Sequence, residues 1–413
     1  MACQTAPLPA QRGVIVVVVL SLLALLTVLA VSLHALVRLE QQAGVNVAAQ
    51  ARARAQALAA LQIALGQLQR HLGPDGRVTA PAGGDTAQPA WVGVWTEGAA
   101  DDPSTWLVSG NELDPLRHQP METIATPDSP GAVTVWLLNH PLPASATAAR
   151  VRLQPVEVRS PHPGASGRPV TGRYAFWVGD ESFKLSVGEP LVSDVWPPEY
   201  PRPDLARVLG PGVPAPAERA RLLHLDQGGE LGLDLRLLRA RWLEVTPLAW
   251  RVVEDSPAAR LQPMAFNVNS AADADIWRAV LAPAEAALPR ELQAESATLD
   301  AWWEQLLAPL RSGPRPWLRI REFQEAMASA LPPEVDPAAF WARLEPVLTV
   351  RGDTFLVRAY GEVRNPLRTG LEAIDARAWL EATVQRVPEP HPEPALGRVF
   401  RIRDVRWLSP EEV

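Results

Sequence analysis

Residues 11–37 read QRGVIVVVVLSLLALLTVLAVSLHALV, and this stretch decides how the rest of the chain is placed. From Val14 to Leu33 it carries no charge, and only Ser21, Thr27 and Ser32 are polar. As a helix rising about 1.5 Å per residue, this run is ~30 Å long and matches the hydrocarbon core of a bilayer. Because no small-residue cleavage site follows, we predict an anchor that continues as one long helix, not a secretory signal peptide.

A second helical pattern follows the apolar run as far as Leu72. Its leucines recur at three- and four-residue steps and form one apolar stripe: Leu58, Leu61, Leu65, Leu68 and Leu72. The preceding turns, residues 43–60, are rich in alanine and carry a thinner stripe. We expect the C-terminal part of this helix to pack on a domain and the N-terminal part to stay available for neighbours. The turn sequence of residues 73–76, Gly-Pro-Asp-Gly, ends the helix.

The distribution of charge excludes one class of partner and suggests an orientation. The 413-residue chain has a net charge of −7 and no basic run, so we predict that it does not bind nucleic acid. Arg12 precedes the apolar run, whereas Arg38 beyond it is balanced by Glu40. This favours a single-pass membrane protein with a cytoplasmic N-terminus and an external bulk. The single cysteine, Cys3, cannot form an internal disulfide.

Beyond the helix, short apolar runs bounded by Pro, Gly, Asn and Asp predict strands. The candidates are Trp91–Trp95, Val133–Leu138, Val151–Val158 and Tyr174–Val187. Prolines crowd residues 190–216, which we expect to be mainly loop. A stretch rich in helical patterns then runs from residue 217 to residue 348. Most of the fifteen tryptophans should be core residues, although a cluster at Trp302-Trp303 or at Trp317 is an alternative partner surface.

The C-terminal section returns to strands. Asp353–Tyr360, Arg377–Val387 and Val399–Trp407 are three candidates that suggest an antiparallel meander, broken by a proline-rich loop at residues 387–394. In the last strand the period-two pattern slips at Asp404, as a bulge requires.

Strands, then helices, then strands predict a helical block inserted into a sheet domain. We therefore predict an α+β fold in which a long N-terminal helix, residues 14–72, packs on an antiparallel sheet domain. Residues 73–216 and 349–413 form that domain, and residues 217–348 form the mainly helical insertion.

Two polar motifs have structural and metal-binding interpretations. Ser270 and Asp273 stand three residues apart before an apolar helical pattern, which favours a capping box over a calcium loop that lacks its glycine and terminal glutamate. Asp180 and Glu181 are adjacent, so in a strand they face opposite ways and make no acid/base pair. A turn or sheet rim is the favoured interpretation there, with calcium as the functional alternative.

The sequence carries none of the common catalytic signatures. Its seven histidines are scattered without metal-ligand spacing, and it has no nucleophile elbow, phosphate loop or dinucleotide fingerprint. The tripeptide of residues 351–353, Arg-Gly-Asp, opens a predicted strand and is interpreted as a chance occurrence. We predict that the protein is not an enzyme and needs no cofactor.

Arg12-Gly13 before a long aliphatic run that continues as an amphipathic helix resembles the class III leader of type IV pilins and type II secretion pseudopilins. The resemblance implies a leader at residues 1–13, cleavage by a prepilin peptidase between Gly13 and Val14, and methylation of the new N-terminus. The first mature residue is Val14 in place of phenylalanine, and the fifth is Val18 in place of glutamate. The K-type minor pseudopilin, a large tip subunit with a helical insertion, also lacks that glutamate.

Further landmarks are similar to the large pilin-like proteins of the Verru_Chthon cassette protein A group of Verrucomicrobia. They are the series at residues 172–181, 266–270, 353–362 and 400–410.

Together the resemblances imply a minor or tip subunit of a type IV pilus or type II secretion pseudopilus-like filament. Such a subunit assembles with other pilin-like subunits through its N-terminal helix, and Val18 could not pair with a neighbour's amino terminus. The alternative is an uncleaved, membrane-anchored extracytoplasmic binding protein or enzyme. A deep pocket with converging carboxylates and aromatic side chains would favour that alternative.

Overall fold

The fold is described from a computed structural model. The residues that it describes are 11–83, 86–96, 102–113, 121, 124–129, 135–139, 150–160, 162, 167, 169–189, 200–255, 258–294, 296–312, 316–368 and 370–413.

The dominant element is a single helix, α1 (Gln11–Leu72), of 62 residues. It confirms the predicted continuation of the apolar run into the amphipathic stripe. Among the described residues, α1 is the one helix whose length and composition suffice to cross a membrane.

The remaining helices are short and lie between residues 206 and 342. They are α2 (Ala206–Leu209), α3 (Pro216–Arg219), α4 (Leu235–Ala240), α5 (Ala274–Leu281), α6 (Arg290–Ala294), α7 (Ser296–Ser312), α8 (Ile320–Ala328) and α9 (Pro337–Ala342). Single 3-10 turns occupy Glu181–Phe183, Leu225–Leu231, Ala282–Ala287, Gly370–Ala373 and Pro394–Leu396.

The strands precede, interrupt and follow this helical segment. Those before it are β1 (Arg77–Pro81), β2 (Val92–Thr96), β3 (Thr105–Trp106), β4 (Val135–Asn139), β5 (Arg150–Leu153), β6 (Val156–Arg159), β7 (Val170–Asp180) and β8 (Leu185–Ser186). Those within and after it are β9 (Val245–Thr246), β10 (Trp250–Asp255), β11 (Ala258–Pro263), β12 (Phe266–Asn267), β13 (Leu348–Thr349), β14 (Thr354–Arg364), β15 (Ile374–Pro390) and β16 (Arg398–Leu408).

The central layer is a five-stranded sheet in the order β16-β15-β14-β7-β6, antiparallel throughout. It contains the predicted meander. Thr383 faces Asp404 whereas Val384 faces Ile402, so Arg403 is the extra residue of a bulge beside the predicted position. The β15 strand runs on to Pro390, into the segment predicted to be a loop.

Each face of the sheet has its own core. On one face, α1 packs against alternating strand residues such as Phe176, Phe355 and Leu380. On the other face, Trp177 and Tyr360 pack with residues of β4 and β5. The predicted α+β architecture, a long helix on an antiparallel sheet, is therefore confirmed.

The helical segment has a separate apolar core, in which Trp277, Trp303 and Phe340 are buried. Trp302 and Trp317 are also buried, so the predicted core role of these tryptophans is confirmed and the partner-surface alternative for them is wrong. Two short parallel pairings, β8 with β9 and β12 with β13, join this segment to the sheet region.

Two local features differ from what the sequence pattern indicates. The hairpin of β10 and β11 lies inside the stretch predicted to be mainly helical, and its backbone comes close to β15. The Ser270 capping box is also absent. Helix α5 starts at Ala274 without a side-chain cap bond, and Ser270 Oγ instead donates to Phe183 O at 2.6 Å.

Candidate assembly surface on the N-terminal helix

The first half of α1 exposes apolar side chains on every side. All large apolar residues from Ile15 to Leu39 are exposed, and no side of the helix is covered by the rest of the chain as described. Its polar residues are satisfied locally, because Thr27 Oγ1 donates to Leu23 O at 2.7 Å and Ser32 Oγ donates to Val28 O at 2.8 Å. A helix of this kind can lie in hydrocarbon without leaving polar groups unpaired.

The predicted processing and assembly residues all lie on this half. Val18 is 60% exposed and uncharged. Gly13 and Val14 fall within α1, but their side chains are not among those described. Residues 1–10 of the predicted leader lie outside the described residues. Cleavage, methylation and the role of Val18 therefore stay predictions.

The second half of α1 sits on the sheet through a seam of alanines. Buried alanines recur along one face of the helix: Ala49, Ala53, Ala57, Ala60 and Ala64. Opposite them, a Cβ placed on Gly361 would overlap the Ala53 carbonyl oxygen. Small side chains on both elements let the two backbones approach closely, and this close approach fixes the helix on the sheet.

This seam corrects the expectation that the alanine-rich turns stay available for neighbours. Packing begins at Ala49, well before the leucine stripe, and Leu58 of that stripe is exposed. The sequence pattern missed the seam because alanine contributes little apolar area and its partners are glycines on a distant strand.

A buried arginine locks the C-terminal end of α1. Arg386 is fully buried and donates from Nη2 to Gly73 O at 2.7 Å and from Nη1 to Asp353 Oδ1 at 3.2 Å. It also pairs with Asp75. Burial raises the pKa of Asp75, but the hydrogen bond and charge of Arg386 outweigh it and hold that pKa below its usual value.

A second polar junction connects the sheet to the helical segment at Asp180. The carboxylate accepts from Thr79 Oγ1 at 2.6 Å and from the Ser182 amide at 2.8 Å. Asn267 Nδ2 donates to the same Thr79 hydroxyl at 2.9 Å. Burial, with no cationic side chain in contact among the described residues, raises the pKa of Asp180 to about 6.

These contacts account for Asp180 and Glu181 as structural residues at the end of β7. Asp180 caps the following 3-10 turn, and Glu181 pairs with Lys184 at 2.6 Å. Asp353 of the Arg-Gly-Asp tripeptide is buried against Arg386. Within the described ranges, no three or more His, Cys, Asp or Glu side chains are grouped so that they could hold a metal ion.

A cavity of about 630 Å³ lies where α1 leaves the sheet. It is lined by Arg52, Gln56, Arg364, Asn365 and Asp375, together with smaller and apolar groups. Its lining holds one carboxylate and no aromatic ring, so this cavity is not the pocket of converging carboxylates and aromatic side chains that would favour the alternative.

No family model matches the chain, and no curated protein matches it. A solved structure that does match is described as "The Crystal Structure of the GspK-GspI-GspJ complex from enterotoxigenic Escherichia coli Type 2 Secretion System". The identity is 15%, the match covers 61% of this chain and 83% of that chain, and the TM-score is 0.30. A likeness of this size carries no functional argument.

Proposed function

We propose that this protein is a pilin-like structural subunit that assembles into a type IV pilus or type II secretion pseudopilus-like filament through its N-terminal helix. The observation that carries the proposal is the division of α1. Its first half is apolar and exposed all round, whereas its second half is buried on a sheet of the same chain. Such a helix needs a non-aqueous environment on all sides, which a bilayer supplies before assembly and sister helices supply afterwards.

In this proposal the chain lies in the inner membrane before assembly, with its N-terminus in the cytoplasm and its sheet domain in the periplasm. Its partners are other pilin-like subunits and a prepilin peptidase that cuts between Gly13 and Val14. Residues 73–216 and 349–413 form the pilin-like domain, and residues 217–348 form its helical insertion. The function is mechanical and requires no cofactor.

Val18 supports a minor or tip position in this proposal. A carboxylate at the fifth mature position would need a cationic partner from a neighbour, because an unpaired charge among apolar helices is costly. Val18 needs no cationic partner and cannot form an ion pair with a neighbour. A subunit at the tip has no neighbour above it, so an uncharged residue suits that place.

Coexpression with a prepilin peptidase tests the proposal. The native chain should lose residues 1–13 and begin at Val14 by N-terminal sequencing, whereas Gly13→Leu should keep Met1. The matched control is Gly44→Leu, the same change farther along α1, which should be cleaved like the native chain. Native and Gly13→Leu chains that both begin at Met1 would instead favour the uncleaved, membrane-anchored binding protein or enzyme.

The fifth position has its own test. In a filament reconstituted from coexpressed pilin-like subunits, we expect Val18→Glu to move this chain from one end to sites along the shaft. Gold labelling of the periplasmic domain would locate it. Labels along the shaft with native Val18 would argue against tip placement.

A further inference from the structure

The helical segment meets the sheet at the Asp180 junction, which is formed by Thr79 of β1, Asp180 of β7 and Asn267 of β12. The Thr79 hydroxyl lies at its centre. It donates to Asp180 Oδ2 at 2.6 Å and accepts from Asn267 Nδ2 at 2.9 Å and from the Gly352 amide at 3.1 Å. The three side chains are at most 1% exposed. Because one hydroxyl joins these segments, a change at Asp180 acts on the contact between the helical segment and the sheet.

Asp180 is buried in this junction without an opposite charge. Its Oδ1 accepts from the Ser182 amide at 2.8 Å and from the Ser182 hydroxyl at 2.6 Å, so its donors in the described chain are neutral. A Cβ placed on Gly352 would lie 1.9 Å from the same oxygen, so main chain covers the carboxyl group closely. Several other buried carboxylates contact a cation: Asp353 with Arg386, Glu381 with Arg358, Glu189 with Arg219, and Glu362 with Arg364. An ionised Asp180 therefore loses its hydration in the closed junction and gains no compensating charge.

The charged groups around Asp180 are engaged with other partners. Glu181, the next residue, pairs with Lys184 at 2.6 Å, and its negative charge opposes ionisation of Asp180. Arg351 Nε lies 3.3 Å from Asp353 Oδ1. The side chains that β1 and β12 place in the junction carry no charge. Burial, and after it the charge of Glu181, accordingly raises the pKa of Asp180 to about 6.

A second carboxyl group lies at the neighbouring connection between the helical segment and the sheet. Glu244 directly precedes β9, which pairs with β8, and its side chain is hydrogen-bonded to that of Asp273, directly before α5. A hydrogen bond between two carboxyl groups needs a proton on one of them. Arg241 Nη1 donates to Glu244 Oε2 at 3.2 Å and Arg241 Nη2 lies 3.8 Å from Asp275 Oδ2, so one cation faces three carboxyl groups. Burial, followed by the charge of Asp273, raises the pKa of Glu244 to about 7.

The helical segment can separate from the sheet at this junction while each keeps its own core. Trp277, Trp303 and Phe340 belong to the core of the helical segment, whereas Phe176 and Phe355 belong to the core between α1 and the sheet. The strand pairings that join the two regions, β8 with β9 and β12 with β13, have two residues on each strand. A local opening there exposes less apolar surface than unfolding of the sheet and therefore costs less free energy.

We infer that the Asp180 junction is a pH-operated latch, which is closed while Asp180 and the Glu244–Asp273 pair hold their protons and opens locally as they ionise. Opening admits water to the carboxylates and releases the protons. Because the closed state binds these protons more tightly than the open state, the latch is most stable at acidic pH and loosens as the pH rises through about 6 to 7. The inference concerns the folded domain and holds whatever surrounds the exposed half of α1.

Amide hydrogen exchange of the full native chain in detergent tests the inference. The amides of Gly352 and Asn269 report the junction, because they donate to Thr79 Oγ1 and Asn267 Oδ1. The amide of Ala359, in the middle of β14, reports unfolding of the sheet. After correction for the effect of pH on the intrinsic exchange rate, the opening constant at the junction should rise about 20-fold between about pH 4.5 and about pH 7.5, as ionisation of Asp180 alone requires. At each pH it should exceed the opening constant at Ala359 by at least about tenfold.

The native chain alone can overturn the inference in two ways. Equal opening constants at Gly352, Asn269 and Ala359 would show that the junction opens only when the sheet unfolds. Faster exchange at the junction with no rise between the two pH values would show that opening releases no proton. Either result rules out a latch that is operated by pH.

Single substitutions assign the protons. Asp180→Asn should reduce the rise at the Gly352 amide by at least about threefold, because the asparagine amide does not ionise. Glu244→Gln should reduce the rise at the Leu185 amide, which donates to Glu244 O at 2.7 Å. Glu230→Gln, at an exposed carboxylate of the same helical segment, is the matched control and should keep the native rise at both amides.

An unchanged rise at Gly352 in Asp180→Asn, or at Leu185 in Glu244→Gln, would show that the protons are held elsewhere and would overturn the inference. If Asp180→Asn does not fold, Glu244→Gln and the pH series of the native chain still decide, because each can contradict the latch by itself.

Discussion

The two halves of α1 form one continuous helix with opposite surroundings. From Ile15 to Leu33 its large side chains are exposed and apolar on every side, whereas Leu61, Leu68 and Leu72 are buried against the sheet. The first half has no preferred face, so it suits a partner that surrounds it. The second half has one face, so it suits a single flat partner. Helix formation is common to both, and the distribution of side chains decides what each half contacts.

The largest effect should come from replacing Arg386, which holds the C-terminal end of the packed half of α1 in place. Arg386→Met removes a fully buried cation that pairs with Asp353 and Asp75, so that Asp353 keeps only Arg351 and the Val252 amide. Removal of one partner of a buried ion pair typically costs about 3–5 kcal/mol of unfolding free energy. Guanidinium unfolding of the full chain in detergent, followed by tryptophan fluorescence, measures it. Arg403→Met, at the exposed bulge of β16, is the control and should change stability by less than ~0.5 kcal/mol.

Replacing one leucine in each half by alanine should show directly that the two halves contribute differently to the unfolding free energy. Leu68→Ala removes a fully buried side chain and should destabilise the sheet domain by about 2–5 kcal/mol. Leu29→Ala, in the exposed half, should leave the unfolding free energy unchanged. Equal losses in the same guanidinium titration would show that the two halves are energetically one unit.

The junction at Asp180 should make the packed region sensitive to pH. Its pKa of about 6 lies above the ordinary value of 3.8, so the folded state holds the proton more tightly than the unfolded chain. The protonated Asp180 therefore stabilises the folded state by up to ~3 kcal/mol below pH ~4. This stabilisation decreases as the pH rises to about 6 and is absent at higher pH.

Asp180→Asn removes that titration. The difference in unfolding free energy between the variant and the native chain should shift in favour of the variant as pH rises from 4 to 7. His71 titrates in the opposite sense, because burial lowers its pKa from 6.5 to about 4, but it is present in both chains and cancels in the difference. A difference that does not vary with pH would refute the raised pKa of Asp180.

The smallest effects should come from the two open glycines of α1. Neither Gly44 nor Gly66 would bring a Cβ within 4 Å of another atom, so alanine fits at both places and favours the helix by about 0.5–1 kcal/mol. Gly66→Ala should raise the unfolding free energy of the domain, since that turn forms with the fold. Gly44→Ala should only slow amide exchange near residue 44. A global gain from Gly44→Ala would show that packing extends into the exposed half.

Much of this division can be predicted from local pattern. The uncharged run, the leucine stripe, the turn at residues 73–76 and the three C-terminal strands with their bulge all follow from periodicity and turn chemistry. They are predictable because each signal involves neighbours along the chain.

Other features depend on residues far apart in sequence. The alanine seam needs Gly361, the lock on Gly73 needs Arg386, and the Thr79 hydroxyl meets Asp180 from another strand. Ser270 was predicted to cap a helix, yet its hydroxyl donates to Phe183 O. A single sequence contains these residues but not their pairing, so sequence reasoning could not find them.

The presence of a helix long and apolar enough to span a membrane can be read from composition and length alone. The residue at which that helix begins to pack on the sheet depends on contacts between distant segments. Burial starts at Ala49, and Gly361 of β14 lets the helix backbone approach the sheet at Ala53 and Ala57. The boundary therefore depends on the contact between helix and sheet, which the pattern of neither segment shows alone.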